Sequence, residues 1–293
     1  MNYVGRLLFV LTLALAFLGV ALTGLAGPTQ AATPSTMSFA DLPASVEKVW
    51  TTSLTDTGRS LTWSGNGIYL FEDFSNSRYW RFDTKTQKWV MSSFTSNRPP
   101  QRYGYAAAAF SDMVYVLGGE TSSGSKWDDV WCYDPVTNTW SEVPQDTRPP
   151  ARSGHSAVGT TGGLLIYGGT MATPTYETYL WEFTPATGYW TVASWFENLQ
   201  GTRPGHSAGI LGERWYVAGG TITQPTHFVQ RTTWDSTGFE SVPSTSTVQP
   251  SLRKNQAAAF DTQTTAIVIV GGEELTTSQP LTDTWHFSVG SRT

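Results

Sequence analysis

Four arginines recur at intervals of about fifty residues and could carry binding chemistry: Arg102, Arg152, Arg203 and Arg253. A guanidinium group binds a carboxylate through two parallel hydrogen bonds, so a ring of arginines could hold a carboxylated ligand. A residue that recurs in every copy of a repeat can instead serve packing between the copies, here through hydrogen bonds to neighbouring carbonyl groups. Both interpretations stay open, and Arg102, Arg152 and Arg203 are candidate binding residues.

Two of the four histidines, His155 and His206, each follow one of these arginines by three residues. A metal site usually needs three or more converging ligands, and the sequence offers no others at this position. His-Glu-x-x-His and P-loop motifs do not occur. The sequence therefore predicts no catalytic residue, no bound metal and no cofactor.

Composition limits the class of protein. Charged residues make up 14% of the chain and aromatic residues 13%, which favours short packed strands over disorder. Acidic residues outnumber basic ones by 23 to 18 without any run of Lys or Arg, so we expect no nucleic-acid partner. The single cysteine, Cys132, cannot form an intramolecular disulfide.

The first 32 residues have the pattern of a secretory signal peptide. Arg6 precedes an apolar run over residues 7–26, and small residues end the segment at Ala32. The alternative is an uncleaved signal anchor, because the run is nearly long enough to span a bilayer. We expect a linker over residues 33–45 and a secreted or, in the alternative, membrane-anchored domain over residues 46–293.

The rest of the chain repeats every 50 to 52 residues. Each copy has an apolar strand that ends in a glycine pair, and an aromatic segment follows about ten residues later. The pairs are Gly118-Gly119, Gly168-Gly169, Gly219-Gly220 and Gly271-Gly272. The aromatic segments lie at 130–133, 180–183, 232–234 and 284–287. A lone tryptophan closes the first three copies, at Trp89, Trp140 and Trp190. This pattern predicts about four strands per copy, with sheets that pack radially.

The combination of a glycine pair after the second strand and a tryptophan in the fourth resembles the Kelch-repeat family over residues 46–290. The resemblance implies an all-β, Kelch-type β-propeller with about five four-stranded blades. The first copy is divergent, because Glu72-Asp73 replaces its glycine pair.

Some members of this family are enzymes that act on sugars, such as copper radical oxidases and sialic-acid epimerases. The oxidases need a cysteine crosslinked to a tyrosine together with Tyr and His ligands. Cys132 lies inside a strand, and no Tyr-His dipeptide exists in this sequence. A small buried thiol is the alternative role for this cysteine.

The last copy ends without a tryptophan strand, whereas residues 46–51, around Trp50, resemble such a strand with no blade before them. We therefore predict that this N-terminal strand completes the last blade and closes the ring, which removes exposed strand edges.

The loops between second and third strands share one face with the linkers between blades, and they are long. Binding residues concentrate on loops that a rigid scaffold holds, so Trp127, Tyr176 and His227 are candidate contacts on this face. The sequence predicts a monomeric extracellular binding module for a protein or carbohydrate ligand. A sugar-acting enzyme of epimerase or oxidase type and a purely structural module are the alternatives.

Overall fold

All regular structure that the computed structural model describes is β-strand. The described residues are 60–64, 67–72, 74–83, 86, 88–95, 97–172, 179–195, 203–212, 214–221, 229–233, 240–242, 250–261 and 265–289. No helix within these ranges is long and apolar enough to cross a membrane. The expected signal segment and linker, residues 1–45, lie outside them.

The strands follow the repeat. The first copy contains β1 (Ser60–Ser64), β2 (Gly67–Phe71), β3 (Arg78–Asp83) and β4 (Lys88–Ser93). The second contains β5 (Ala106–Phe110), β6 (Met113–Leu117), β7 (Val130–Asp134) and β8 (Thr139–Glu142). The third contains β9 (Arg152–Ser153), β10 (Ser156–Gly159), β11 (Leu164–Tyr167), β12 (Thr170–Met171), β13 (Tyr179–Thr184) and β14 (Tyr189–Trp195). The fourth contains β15 (His206–Leu211), β16 (Arg214–Gly219), β17 (Val229–Thr233) and β18 (Glu240–Ser241). The fifth contains β19 (Arg253–Lys254), β20 (Ala257–Asp261), β21 (Ala266–Val270), β22 (Glu273–Glu274) and β23 (Thr284–Ser288).

Each copy forms one antiparallel sheet, which is one blade. The strand orders are β1-β2-β3-β4, β5-β6-β7-β8, β10-β11-β13-β14, β15-β16-β17-β18 and β20-β21-β23. The innermost strands β1, β5, β10, β15 and β20 pack against one another in chain order. This arrangement confirms the prediction of an all-β propeller with about five blades.

The second strands of the blades are deeply buried. Each lies between the first and third strands of its own sheet, and a neighbouring blade packs against it. All five residues of β21 and all four of β11 are buried. A strand that is covered on both faces has a continuously apolar sequence. This explains the short apolar stretch before each glycine pair in the sequence.

The core consists of side chains from facing blades. Phe71 of the first blade lies edge-on to Trp140 of the second, with ring centroids 5.2 Å apart. Trp190 of the third blade packs with Tyr115 and Leu117 of the second. Trp140 and Trp190 are 4% and 5% exposed, whereas Trp89 is half-buried. Edge-on aromatic pairs add about 0.5–1.5 kcal/mol each to the free energy of area burial.

Two sequence-based expectations on the strands have different outcomes. The third strand of the fourth blade is Val229–Thr233, so the aromatic signal at 232–234 placed it about three residues too late. The closing strand, with Trp50, lies outside the described residues, and ring closure stays a prediction. Within the described residues, β23 has a strand partner on only one side.

Candidate ligand-binding face

Neighbouring blades are joined by one side chain at a fixed repeat position, which is the residue before the innermost strand or the first residue of that strand. This joint position holds Tyr105, His155, His206 and Gln256. The Tyr105 hydroxyl donates to the backbone oxygen of Phe71 at 2.9 Å. The Gln256 side-chain amide donates to the oxygen of Ala218 at 2.7 Å. Both acceptors belong to the preceding blade, so these side chains hold consecutive blades together.

His206 joins the third and fourth blades as a neutral ring. Its Nδ1 lies 2.7 Å from the backbone oxygen of Arg203, and its Nε2 lies 2.7 Å from the hydroxyl of Ser156. Because a carbonyl oxygen can only accept, Nδ1 carries the proton and Nε2 accepts from Ser156. Burial lowers the pKa of His206 to about 3, and it lowers that of His155 well below the usual range. Both histidines are therefore uncharged at neutral pH, and His206 serves there as a structural hydrogen-bonding group.

The glycine pairs make room for these joints. The first glycine, Gly118, faces the joint side chain of the next blade, and a β-carbon there would lie 3.0 Å from Cε1 of His155. The second glycine, Gly119, faces the joint residue of its own blade, and a β-carbon there would lie 3.0 Å from Cβ of Tyr105. Both have positive φ, 56° and 102°. All eight glycines of the four pairs share this left-handed backbone.

A ladder of backbone hydrogen bonds connects the second to fifth blades beside their innermost strands. The amide of Gly154 donates to Gly104 at 2.7 Å, that of Gly205 to Gly154 at 2.9 Å, and that of Asn255 to Gly205 at 2.7 Å. All four residues have positive φ, which asparagine tolerates better than most residues. The fifth blade therefore keeps this hydrogen bond, although Asn255 stands where the second to fourth blades have glycine.

The repeated arginines are buried in the joints between strands. The guanidinium of Arg102, which is 0% exposed, donates to the oxygen of Gly118 and pairs with both carboxylate oxygens of Asp129 at 2.6 and 2.8 Å. Arg253 pairs in the same way with Asp283, and Arg253 together with the indole of Trp285 lowers the pKa of that carboxyl. These hydrogen bonds fix the loop after each glycine pair to the strand that enters the blade.

Arg152 and Arg203 occupy the same place but face different partners. Arg152 donates to the oxygens of Pro150 and Gly168, and Arg203 donates to that of Gly219. The position of Asp129 is taken by Tyr179 in the third blade, according to the strand register. Burial lowers the pKa of Arg203 to about 10. Both side chains are at most 2% exposed, so the structure places them inside the blades rather than on a surface.

Of the three loop candidates from the sequence, the structure describes Trp127 alone. Trp127 is half-buried, and its ring lies 5.3 Å from the guanidinium of Arg102. Tyr176 and His227 lie outside the described residues. Cys132 is half-buried on β7 opposite Tyr115, and burial raises the pKa of its thiol.

The long loops are anchored to the linkers by short antiparallel pairs. β9 pairs with β12, and β19 pairs with β22. In the second blade, Tyr103 and Glu120 exchange both backbone hydrogen bonds at 2.8 Å. One face of the propeller thus carries loops that are tied at their bases, as a scaffold for recognition requires.

A pocket of about 450 Å³ opens on this face between the first two blades. The loop after β2 contributes Phe74 and Ser75, the linker contributes residues 97–101, and β7 contributes Trp131. Phe74 is buried, and its backbone oxygen accepts a hydrogen bond from Nε of Arg98 at 3.2 Å. The pocket combines aromatic and proline surface with one guanidinium group, which suits a ligand with a polar and an apolar part.

Sequence reasoning missed this pocket, although a signal was present. Arg98-Pro99-Pro100 precedes Arg102 with the same spacing as Arg148-Pro149-Pro150 precedes Arg152. The Arg-Pro-Pro motif thus recurs in two linkers, each time four residues before a buried arginine.

A family model described as the KLHDC2/KLHL20/DRC7 Kelch-repeats domain matches residues 58–235. The match covers more than half of the chain. The chain belongs to the Kelch-repeat family. Kelch propellers typically serve as scaffolds for protein interactions.

Among curated proteins, the chain is similar to the "Tip elongation aberrant protein 1" of Schizosaccharomyces pombe. The two are 35% identical over 78 residues, which make up 27% of this chain and 6% of that protein. The similarity therefore concerns a short part of a much longer relative, and it supports the Kelch repeat alone.

Proposed function

We propose that this Kelch propeller is an exported binding module that engages a protein ligand through its long-loop face. The pocket between the first two blades carries this proposal, because it lies on that face and combines apolar walls with Arg98. The anchored loops support it as well, since loops held at their bases lose less conformational entropy on binding.

The opposite face offers less for recognition in the described blades. Its connections between third and fourth strands are short turns, such as the one after Asp134, whose carboxylate accepts from the amide of Val136 at 2.8 Å. Val136 itself is 90% exposed and stands alone at the tip of the turn. Such turns are small and regular, whereas the long loops differ between blades, as ligand-specific surfaces do.

A screen of the full-length chain tests the proposal. We would offer a random peptide display library and, in parallel, a glycan array. Bulky substitutions on the long-loop face, Ser123→Trp and Thr276→Trp, should weaken binding of the selected peptides. Matched substitutions on the short-turn face, Val136→Trp and Ala186→Trp, should leave it unchanged. All four positions are exposed. Enrichment of glycans alone would favour the carbohydrate alternative.

Export is a separate part of the proposal. Arg6, the apolar run over residues 7–26 and the small residues before Thr33 support it. Mass spectrometry of the protein from the culture medium should find an N-terminus near Thr33. Recovery of the intact N-terminus in the membrane fraction would favour the signal anchor instead.

A further inference from the structure

We infer that the pocket at Arg98 binds the side-chain carboxylate of an acidic residue in a peptide ligand. This inference rests on the proposed function and names the chemistry that the pocket recognises. It follows from a comparison of two linkers within the chain.

The linker between the second and third blades shows the complete arrangement. Arg148 of its Arg-Pro-Pro motif lies 2.9 Å from the carboxylate of Asp128, at the end of the long loop of the preceding blade. The protein thus supplies both the guanidinium group and the carboxylate at this place.

The linker between the first and second blades has the guanidinium group without the carboxylate. The strand register aligns Ser77 with Asp128, because Tyr79 and Val130 occupy the same place opposite β2 and β6. Within the described part of the chain, Arg98 makes one hydrogen bond, from Nε to Phe74, and no ion pair. The two terminal nitrogens of its guanidinium group therefore keep their donors for a ligand.

The residues around Arg98 leave its positive charge available to a ligand carboxylate. Asp129 of the second blade is neutralised by its two hydrogen bonds with Arg102, and it also accepts from the indole of Trp131, which lines the pocket. That bond fixes Trp131, whose ring forms one wall of the pocket. A ligand carboxylate on Arg98 would reproduce, in this linker, the ion pair that Asp128 forms with Arg148 in the next one. The methylene groups of its Glu or Asp side chain would lie against Phe74, Pro99 and Trp131.

The experiment uses peptides selected from the random display library on the full-length chain. We expect a Glu or Asp at a fixed position of the selected peptides. Its replacement by Gln or Asn should weaken binding at least about tenfold, which corresponds to one lost charged hydrogen-bonded pair. Arg98→Gln should cause a loss of the same size, and the two changes together should cost little more than either alone. Arg98→Lys keeps the positive charge but not the two parallel donors of the guanidinium group, so it should give an intermediate loss of affinity.

Arg148→Gln is the matched control, because that guanidinium group is already paired, and binding should change less than about twofold. Displacement of the peptide by sodium acetate as readily as by the free peptide would show that any small acid fills the pocket, and would overturn the peptide assignment. Selected peptides that bind Arg98→Gln as well as the wild type would overturn the inference and leave the proposed function standing. Failure to enrich any peptide would contradict both.

Discussion

A β-carbon on Gly118 would lie 3.0 Å from Cε1 of His155 and 2.8 Å from the backbone oxygen of Arg152 in the next blade. The glycine is thus required by a neighbour more than thirty residues away in the sequence, as well as by its own φ of 56°. The same relation recurs between Gly219 and Gln256, where a β-carbon would lie 2.6 Å from Nε2.

The two requirements can be separated by a pair of alanine substitutions. Gly124 also has positive φ, 86°, but its β-carbon would meet no atom within 4 Å. Gly124→Ala should therefore cost only the backbone strain, about 1–2 kcal/mol. Gly118→Ala should cost a further ~1–3 kcal/mol from overpacking, measured by urea unfolding. Equal losses in the two variants would show that the space beside His155 is not limiting. Gly168 also has a positive φ, 69°, which a β-branched side chain does not accept, so Gly168→Val should unfold or aggregate the protein.

The tryptophans of the fourth strands should differ in their contribution to stability. Trp140→Ala and Trp190→Ala should each lower the free energy of unfolding by about 3–5 kcal/mol, because each leaves a cavity between two blades. Trp89→Ala should cost clearly less, since Trp89 is half-buried and its ring contacts that of Phe82 at a centroid distance of 5.3 Å. Thermal melts of the three variants provide the comparison. If all three losses were near zero, the described packing between blades would be wrong.

The buried arginines should increase the free energy of unfolding. Arg102→Met leaves Asp129 without its cation and the oxygen of Gly118 without a donor, so we expect a loss of about 3–5 kcal/mol. Arg148→Met, in an exposed pair with Asp128, should cost at most about 1 kcal/mol. Adding Asp129→Leu to Arg102→Met should restore part of the loss. A stable Arg102→Met protein with weakened ligand binding would instead support the role of these arginines in binding.

The joint histidines should make stability depend on pH. The pKa of His206 is lowered to about 3 in the folded protein from an ordinary value of 6.5, so the unfolded chain takes up a proton first as the pH falls. This stability is complete above about pH 6.5 and is lost on the way down towards pH 3, at up to about 1.4 kcal/mol per pH unit and histidine. Burial acts on His155 in the same direction.

Glutamine at these positions is the matched control, because Gln256 fills the same place in the fifth blade. The double variant His155→Gln/His206→Gln should unfold with a flatter dependence on pH between 7 and 5 than the wild type. Urea titrations at several pH values measure this slope. Parallel slopes for the two proteins would mean that the histidines are accessible to protons in the folded state.

Ring closure can be tested by two deletions. Within the described residues β23 is paired on one side only, and Trp285 and Phe287 on it are half-buried, whereas Tyr133 and Phe183 at the position of Phe287 are 0% exposed. Deleting residues 33–55 should leave this edge open, and the protein should oligomerise or precipitate. Deleting residues 33–42 alone should be nearly silent. Size-exclusion chromatography compares them, and a folded monomer from the longer deletion would refute closure by residues 46–51.

The sequence by itself determined the number and order of the blades and the positions of their second and third strands. The apolar run before each glycine pair was enough to locate the second strand, because a strand that is buried on both faces must be apolar throughout. The fourth blade shows the limit: its aromatic signal at 232–234 missed the start of β17 at Val229, since Val229 is buried without an aromatic neighbour in the strand.

Only the tertiary structure decided what the repeated residues do. A recurring arginine in the sequence is consistent with a surface ring as well as with a buried joint, although recurrence in every copy favours the joint. The contact between Arg102 and Asp129, 27 residues apart, depends on how the long loop returns to the linker. The pocket at Arg98 arises in the same way, because its walls come from two blades. Among the described residues its guanidinium group pairs with no carboxylate, and Ser77 stands where the next blade has Asp128. Contacts between blades depend on how the blades pack in space. The periodicity of the sequence indicates the strands of each blade but not these contacts.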